Sequence, residues 1–556
     1  MLSEIEIQVG PGVRLRLTPM GSAYVTTMVA KMLVPEVAVA RMPFETKSAT
    51  LASLPTIGLA SLQLQHFEVP EAFDVATASQ NIVFVSLQNS TISVAATGSG
   101  HVDDVPLSGL LEIRTSRFQL EVGVEVKRNT RGSIVLKVHS CRVPMNIPVT
   151  VSVQNPLTPE TGEKFAVSSF SALKFNEKAI LPISSCGLSS TNIPIMDLHS
   201  DEINQRFGLL SPRIALGDLH NFDLVKSILS SQQELRRRSV SSKRLRDAPS
   251  RHVARSPTRR VIRVSRQANT SSFLRSFDLS RANSLILDYT MLDGPLMSAR
   301  GIEMSTSGEI SVTGKKTPFG PRPLGLPTTI SSDLLQIVVS DFVPNALMYH
   351  GHLIGLFNTR IDHATPQLGP VMRTTCDVSS GSLFCVGDLF PTLREQFPNR
   401  NVIFSFSTIK APAVVVRQPE RGGIQFKMLG LIEVGMSGIN GDAPIGGMEI
   451  HIDASMRMKM TAKAVRGRVN LETIRLVTRS PETLVQDELD DASFLSREIL
   501  QRMVNDILKQ GIPIPVHPLF KLQNPKLTLA ERSMVLETNF RLNQNLIRQL
   551  VGEKLA

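Results

Sequence analysis

A strict alternation runs from Glu449 to Ala464. Ile450, Ile452, Ala454, Met456, Met458, Met460, Ala462 and Ala464 fall between Glu449, His451, Asp453, Ser455, Arg457, Lys459, Thr461 and Lys463. Period two is the strand period, so one face of this ribbon is wholly apolar and the other wholly polar. At roughly 3.3 Å per residue it spans on the order of 50 Å, several times the length of an ordinary strand. A strand that long twists, and its apolar side needs cover along the full length, from a wrapped helix or from a bound apolar ligand.

The same reading places the other elements. Val13, Leu15 and Leu17 alternate with Arg14 and Arg16 as a short strand, and Thr18-Pro19 supplies an N-cap and a proline at the first helical position. Tyr24, Val25, Met28, Val29 and Met32 recur at helical spacing, predicting a helix over 20–34 that Pro35 closes. Strands follow at 82–87, 111–115, 118–126 and 134–138, a meander with a turn at Thr130-Arg131-Gly132. From 144 to 222 prolines interrupt the pattern, and no element is predicted there.

Beyond an Arg- and Ser-rich stretch at 227–272 the plan repeats. Strands at 284–289 and 308–312 precede a helix that Ser331 or Ser332 caps, carrying Leu334, Leu335, Val338, Val339 and Phe342 up to Pro344. Strands at 402–407, 413–416 and 424–434 lead to the long ribbon, and 469–477 follows it. A second helix over 493–510 carries Leu495, Ile499, Met503 and Ile507 on one stripe and stops at Gly511. An extended proline-containing tail and strands at 526–529 and 534–542 end the chain. The strand, helix, meander order on both sides of the basic stretch points to two related halves.

Length and charge refine this picture. A chain of 556 residues exceeds one hydrophobic core and implies at least two large domains. The net charge of +11 suggests an anionic partner until it is located: twelve basic residues between Arg236 and Arg266 face Asp247 alone, so this segment accounts for the whole excess. Such a segment reads as a disordered linker, a processing site, or a tail for an anionic surface or nucleic acid. No aromatic residue interleaves its arginines, so nucleic acid is not expected as a partner. No apolar run is long enough to span a membrane, and the first twenty residues contain no signal-peptide core. That fits an intracellular protein, or a chain whose true amino terminus lies further upstream.

The four cysteines, Cys141, Cys186, Cys376 and Cys385, fit two disulfides or four buried thiols, and their spacing suggests no zinc site. The triplets at Asn89 and Asn269 are available for glycosylation and favour the disulfides. No nucleophile elbow, phosphate-binding loop, dinucleotide fingerprint or zinc-protease helix is present, so no catalytic residue and no cofactor is predicted. His350-Gly-His352 lacks a third metal ligand, and Asp487, Glu488, Asp490 and Asp491 suit a solvated helix start. The flexible, polarisable row Met456, Met458 and Met460 suits a wall facing acyl chains, or else packs on the helix that follows. The same two readings hold for Tyr24, Val25, Met28 and Met32, and for Leu334, Val338 and Phe342.

Three places resemble the family of bactericidal/permeability-increasing protein, lipopolysaccharide-binding protein and the cholesteryl ester and phospholipid transfer proteins. They are Pro11-Gly-Val-Arg-Leu-Arg-Leu-Thr with the helix after it, Leu285-Ile-Leu-Asp-Tyr with Gly308-Glu-Ile, and the final helix with Gly511-Ile-Pro-Ile-Pro and the closing strands. The resemblance implies an α+β fold: two elongated barrels of highly twisted antiparallel sheet wrapped on long helices, joined by a central sheet into a boomerang. It divides the chain into an amino-terminal barrel at 1–222, the basic linker at 223–275 and a carboxyl-terminal barrel at 276–556. It implies apolar pockets for phospholipid-like acyl chains, a Cys141–Cys186 disulfide, extracellular secretion, and a lipoprotein or membrane surface as partner. The expected function is lipid binding or transfer. Its rivals are innate-immune binding of bacterial lipopolysaccharide and a structural or interaction role for the basic linker. Residues 1–150 hold twelve Lys or Arg and twelve Asp or Glu, a balance that disfavours the lipopolysaccharide reading.

Overall fold

The computed structural model describes residues 10–28, 49–51, 54–68, 74–78, 81–102, 105–142, 150–157, 212–216, 279–365, 368–376, 384–438, 444–461, 464–510, 512–513 and 520–545. The basic stretch, the rest of 144–222, Met32, Cys186 and Asn269 lie outside them, as does the side chain of Asn89.

Strand β1 (Val13–Leu17) leads into helix α1 over 19–28. The Gly21 amide donates to the Thr18 hydroxyl at 3.2 Å, the bond expected of a threonine N-cap. The segments expected at 82–87, 111–115 and 118–126 prove to be parts of two strands, Ile82–Val102 and Val105–Arg128, paired along their whole length. They form the middle of a seven-stranded antiparallel sheet built from 49–157.

In the second half come β2 (Leu296–Ser298), β3 (Gly301–Thr306) and β4 (Leu335–Ser340). The last corrects the predicted helix through Leu334, Val338 and Phe342: Leu334 precedes a strand, Val338 lies within it and Phe342 follows it, and the helix, α2, runs from Phe342 to Leu353. The physical reason is burial on both faces. Leu335, Gln336, Val338 and Ser340 are all buried, so the period-two signal is lost and the chance helical spacing of the leucines and valines remains.

Then follow β5 (Ile424–Met436), β6 (Pro444–Met460), β7 (Ala464–Thr478), helix α3 (Gln486–Gln510), β8 (Ile512–Pro513), β9 (Phe520–Ala530) and β10 (Ser533–Leu542). The ribbon predicted to reach Ala464 stops at Met460, and Ala464 already belongs to β7. Alternation continues across the turn because it records which side chains are apolar, and the reversal of the chain leaves it unchanged. Helix α3 starts seven residues before the predicted 493, so the acidic residues at 487–491 occupy its first turns.

The sheets explain the chain order. A six-stranded antiparallel sheet, β2-β3-β1-β4-β10-β9, brings residues near both chain ends together. Across its middle runs a buried polar row. Arg16, 2% exposed, donates to Glu303 at 2.8 Å and to Gln336 at 3.0 Å, and Gln336 donates to Glu537 at 2.8 Å. The first-half sheet meets this sheet where Arg128 donates to the Met291 carbonyl at 2.5 Å and the Met297 amide donates to Asn81 at 3.2 Å. The second seven-stranded sheet contains β5, β6, β7 and β8, and α3 covers it. Met448, Ile450, Ile452 and Ala454 of β6 are buried in the core between them, with Leu489, Ala492 and Leu508 of α3. The side chains of Leu495, Ile499, Met503 and Ile507 lie outside the described residues. No helix among the described residues is long and apolar enough to cross a membrane.

Candidate functional site

Where α1 lies on the six-stranded sheet, a cleft of about 750 Å³ opens. The close approach that forms it depends on Gly21, where a Cβ would run into the Leu334 carbonyl. Thr18 fixes the same junction: its amide donates to Leu334 O at 3.1 Å and its hydroxyl to Asp333 O at 3.0 Å. Tyr24, Met28, Leu334, Leu522 and Phe540 form the apolar part of the cleft. Phe540, 1% exposed, packs edge-on against Tyr24 at 5.7 Å and against Phe520 at 5.3 Å between ring centroids.

The rest of the lining is cationic or amide-bearing. Lys521 and Arg541 stand directly opposite each other on β9 and β10, both exposed and both without an ion-pair partner among the described residues. Like charges at opposed positions repel, so the pair costs stability unless an anion joins it. Gln523, Asn524, Asn539 and Gln544 add amides, and the lining includes no carboxylate. Asn524 has φ 49°, a left-handed conformation that asparagine tolerates, where β9 and β10 slip register between Gln523 and Lys526. Asp333, next to Leu334 in the chain, is taken up by Lys526 at 3.0 Å and Asn539 at 2.9 Å.

The predicted residues divide as follows. Tyr24, Met28 and Leu334 line the cleft, and Val25 packs in the cluster beneath it. Met460 joins that cluster, Met458 packs with Val414, Val416 and Ile424, and Met456 touches both that group and the core under α3. Val338, 1% exposed, sits within the sheet, and Phe342 packs edge-on against Phe319 at 6.0 Å between ring centroids. Lys521, Leu522, Asn524, Phe540 and Arg541 were not predicted. The alternation over 534–542 already put Phe540 on an apolar strand face, whereas the Lys521–Arg541 pairing depends on strand register.

Two other clusters resolve as structure. Cys376 and Cys385 form a disulfide with Cα atoms 5.3 Å apart, so the neighbouring Asp388 does not complete a metal site with free thiolates. Its carboxylate instead accepts the Cys385 amide at 3.1 Å. His350, fully buried, meets the Val312 amide at 3.5 Å and the Thr317 hydroxyl at 3.2 Å, while His352 meets the Thr408 hydroxyl at 2.6 Å. The two rings bond to different elements, and burial pushes both imidazoles below their ordinary pKa.

The closing strands on one side of the cleft, β9 and β10, fall in a segment that matches a family model, whereas α1 on the other side lies outside it. Residues 279–542 match the LBP / BPI / CETP family, C-terminal domain. Among solved structures, lipopolysaccharide binding protein is similar at 14% identity and a TM-score of 0.45, over 96% of this chain and 100% of that one. Takeout 1 of Epiphyas postvittana is similar at 13% identity and a TM-score of 0.21, over 29% of this chain and 81% of that one. P47 of Clostridium botulinum E1 is similar at 7% identity and a TM-score of 0.24, over 96% of this chain and 99% of that one. No curated protein matches the chain by sequence.

Proposed function

We propose that the protein binds acyl lipids in the cleft beside α1 and carries them between lipid assemblies outside the cell. The observation that carries this reading is the division of the cleft into an apolar part, with Phe540 and Leu522 at its base, and a carboxylate-free part with Lys521 and Arg541. An acyl chain fits the first and an anionic head group the second. The volume lies within the roughly 300–1,000 Å³ usual for small-molecule sites. Burying about fifteen methylenes is worth on the order of 10 kcal/mol before entropy costs, so binding needs shape and apolarity and no catalytic group. The family match supports lipid as the ligand class, and the Cys376–Cys385 disulfide fits an oxidising compartment.

Native mass spectrometry and lipid extraction of the purified protein test the reading. Co-purifying lipid, or uptake of lipid from vesicles, is the expected result. A protein that stays empty under both conditions overturns it.

A further inference from the structure

The turn between β6 and β7 carries a second feature, on the side away from the core. In the β6–β7 pairing, Arg457 stands directly opposite Arg468 and Lys459 directly opposite Arg466. All four are exposed, and none has an ion-pair partner among the described residues. Directly opposed side chains lie about 5 Å apart at Cβ, and those two positions along a strand about 7 Å, so four cations share one small rectangle. No Asp or Glu occurs from Ser455 to Asn470. Further along the same strands the charges are balanced: Lys427 pairs with Asp453 at 3.3 Å, and Arg479 pairs with Glu449 at 2.7 Å. Two stacked like-charge pairs destabilise a hairpin, and a bound polyanion relieves the repulsion.

The opposite face of this hairpin supplies a connection to the cleft. Met460 packs in the cluster that contains Tyr24, Met28 and Phe540, the residues that line the cleft. The hairpin is therefore apolar toward the lipid-sized opening and cationic outward. We infer that this outward face docks the protein on an anionic phospholipid bilayer, with Arg457, Lys459, Arg466 and Arg468 contacting head-group phosphates and carboxylates. A bilayer is favoured over nucleic acid because 455–470 contains no aromatic residue on which a base would stack. Each cation near an anionic membrane surface contributes about five-fold to partitioning, so loss of the block lowers it by about a hundred-fold or more. Docking stands apart from cleft occupancy: the face would still bind vesicles if the cleft held nothing, and lipid could occupy the cleft without it.

The chain has no tryptophan, which permits a local reporter. Asn470→Trp places one on the exposed polar face beside the block, in the full chain. Phosphatidylcholine vesicles containing phosphatidylserine are expected to shift its emission to the blue, less so as salt rises, while pure phosphatidylcholine leaves it unchanged. Adding Arg466→Glu and Arg468→Glu turns both opposed pairs into ion pairs. That variant should melt no lower than its parent and lose the shift. Should it fail to fold, Arg457→Gln with Lys459→Gln serves the same purpose without creating new pairs. An unshifted reporter overturns the proposal, since binding through 236–266 would leave Asn470→Trp in water. So does a shift that survives the substitutions, or one produced by duplex DNA or heparin at lower concentration than by vesicles. Lipid content after extraction, measured in parallel, reports the cleft separately.

Discussion

Asn505 of α3 holds Val469 of β7 from both sides. Its Oδ1 accepts the Val469 amide at 2.7 Å, and its Nδ2 donates to the Val469 carbonyl at 3.0 Å. The relationship extends along the strand: Gln501 accepts the Leu471 amide at 2.8 Å, Ser493 the Leu476 amide at 3.1 Å, and Gln486 the Thr478 amide at 3.0 Å. Where the helix ends, β8 takes over by pairing with Ala464 and Val465. A helix face and a two-residue strand together close an edge that would otherwise offer unpaired backbone groups to another chain.

Asn505→Leu should therefore do more than change packing. It leaves a donor and an acceptor of Val469 unpaired beneath a helix, at a cost of about 2–4 kcal/mol. Chemical denaturation of the variant measures this, and amide exchange at Val469 and Leu471 should accelerate before the rest of the sheet. Concentration-dependent aggregation is the expected second consequence.

The buried polar row makes a sharper contrast. Arg16→Met nearly keeps the volume but removes the nearer cation from Glu303, leaving it only Arg14 at 3.7 Å, and removes the donor to Gln336. Breaking such a buried pair costs about 3–5 kcal/mol. The double variant Arg16→Met with Glu303→Gln should recover part of the loss in a denaturation experiment, because the carboxylate that lost its nearer cation is then neutral.

These two features mark where the sequence could be read and where it could not. β6 was readable because one face meets the core and the other meets water, which is the condition for a period-two pattern. β4 was not, because Gln336 is buried among Arg16 and Glu537 while Leu335 and Val338 fill the opposite and adjoining positions. The run Ile337-Val-Val, β-branched throughout, favoured a strand over the predicted helix. The polar stripe Gln486, Ser493, Gln501 and Asn505 reads as solvent-facing, since nothing local shows that a strand edge lies beneath it. The α1 half of the cleft followed from helical spacing and a cap, whereas the half on β9 and β10 needed a register that only folding sets.

Filling the cleft tests its role directly. Met28→Trp adds bulk at a partly exposed lining position, so melting should change little. Bound lipid per protein, measured by extraction, should fall several-fold.

Head-group preference should track the opposed cations. Lys521→Gln with Arg541→Gln removes both charges and the repulsion between them, so stability should hold or rise by up to about 1 kcal/mol. Competition between phosphatidic acid, a free fatty acid and diacylglycerol for the purified protein measures the effect. The wild type should favour the two anionic lipids, and the variant should lose that preference while still taking diacylglycerol.

His350 gives the stability a pH dependence of known sign. Desolvation lowers its pKa, an effect that Lys315 reinforces and Glu309 opposes without reversing it. Near the ordinary imidazole value of about 6.5 the unfolded chain binds a proton that the folded chain refuses. The stabilisation is therefore complete above that value and is lost as the pH falls below it. His352, also lowered by burial, acts in the same direction. The melting temperature should drop between about pH 7.5 and about pH 5.5, and His350→Gln, which cannot take up the proton, should shrink that drop without abolishing it. A variant whose pH profile matched the wild type would show that the ring at the end of β-strand Glu309–Val312 does not govern the transition.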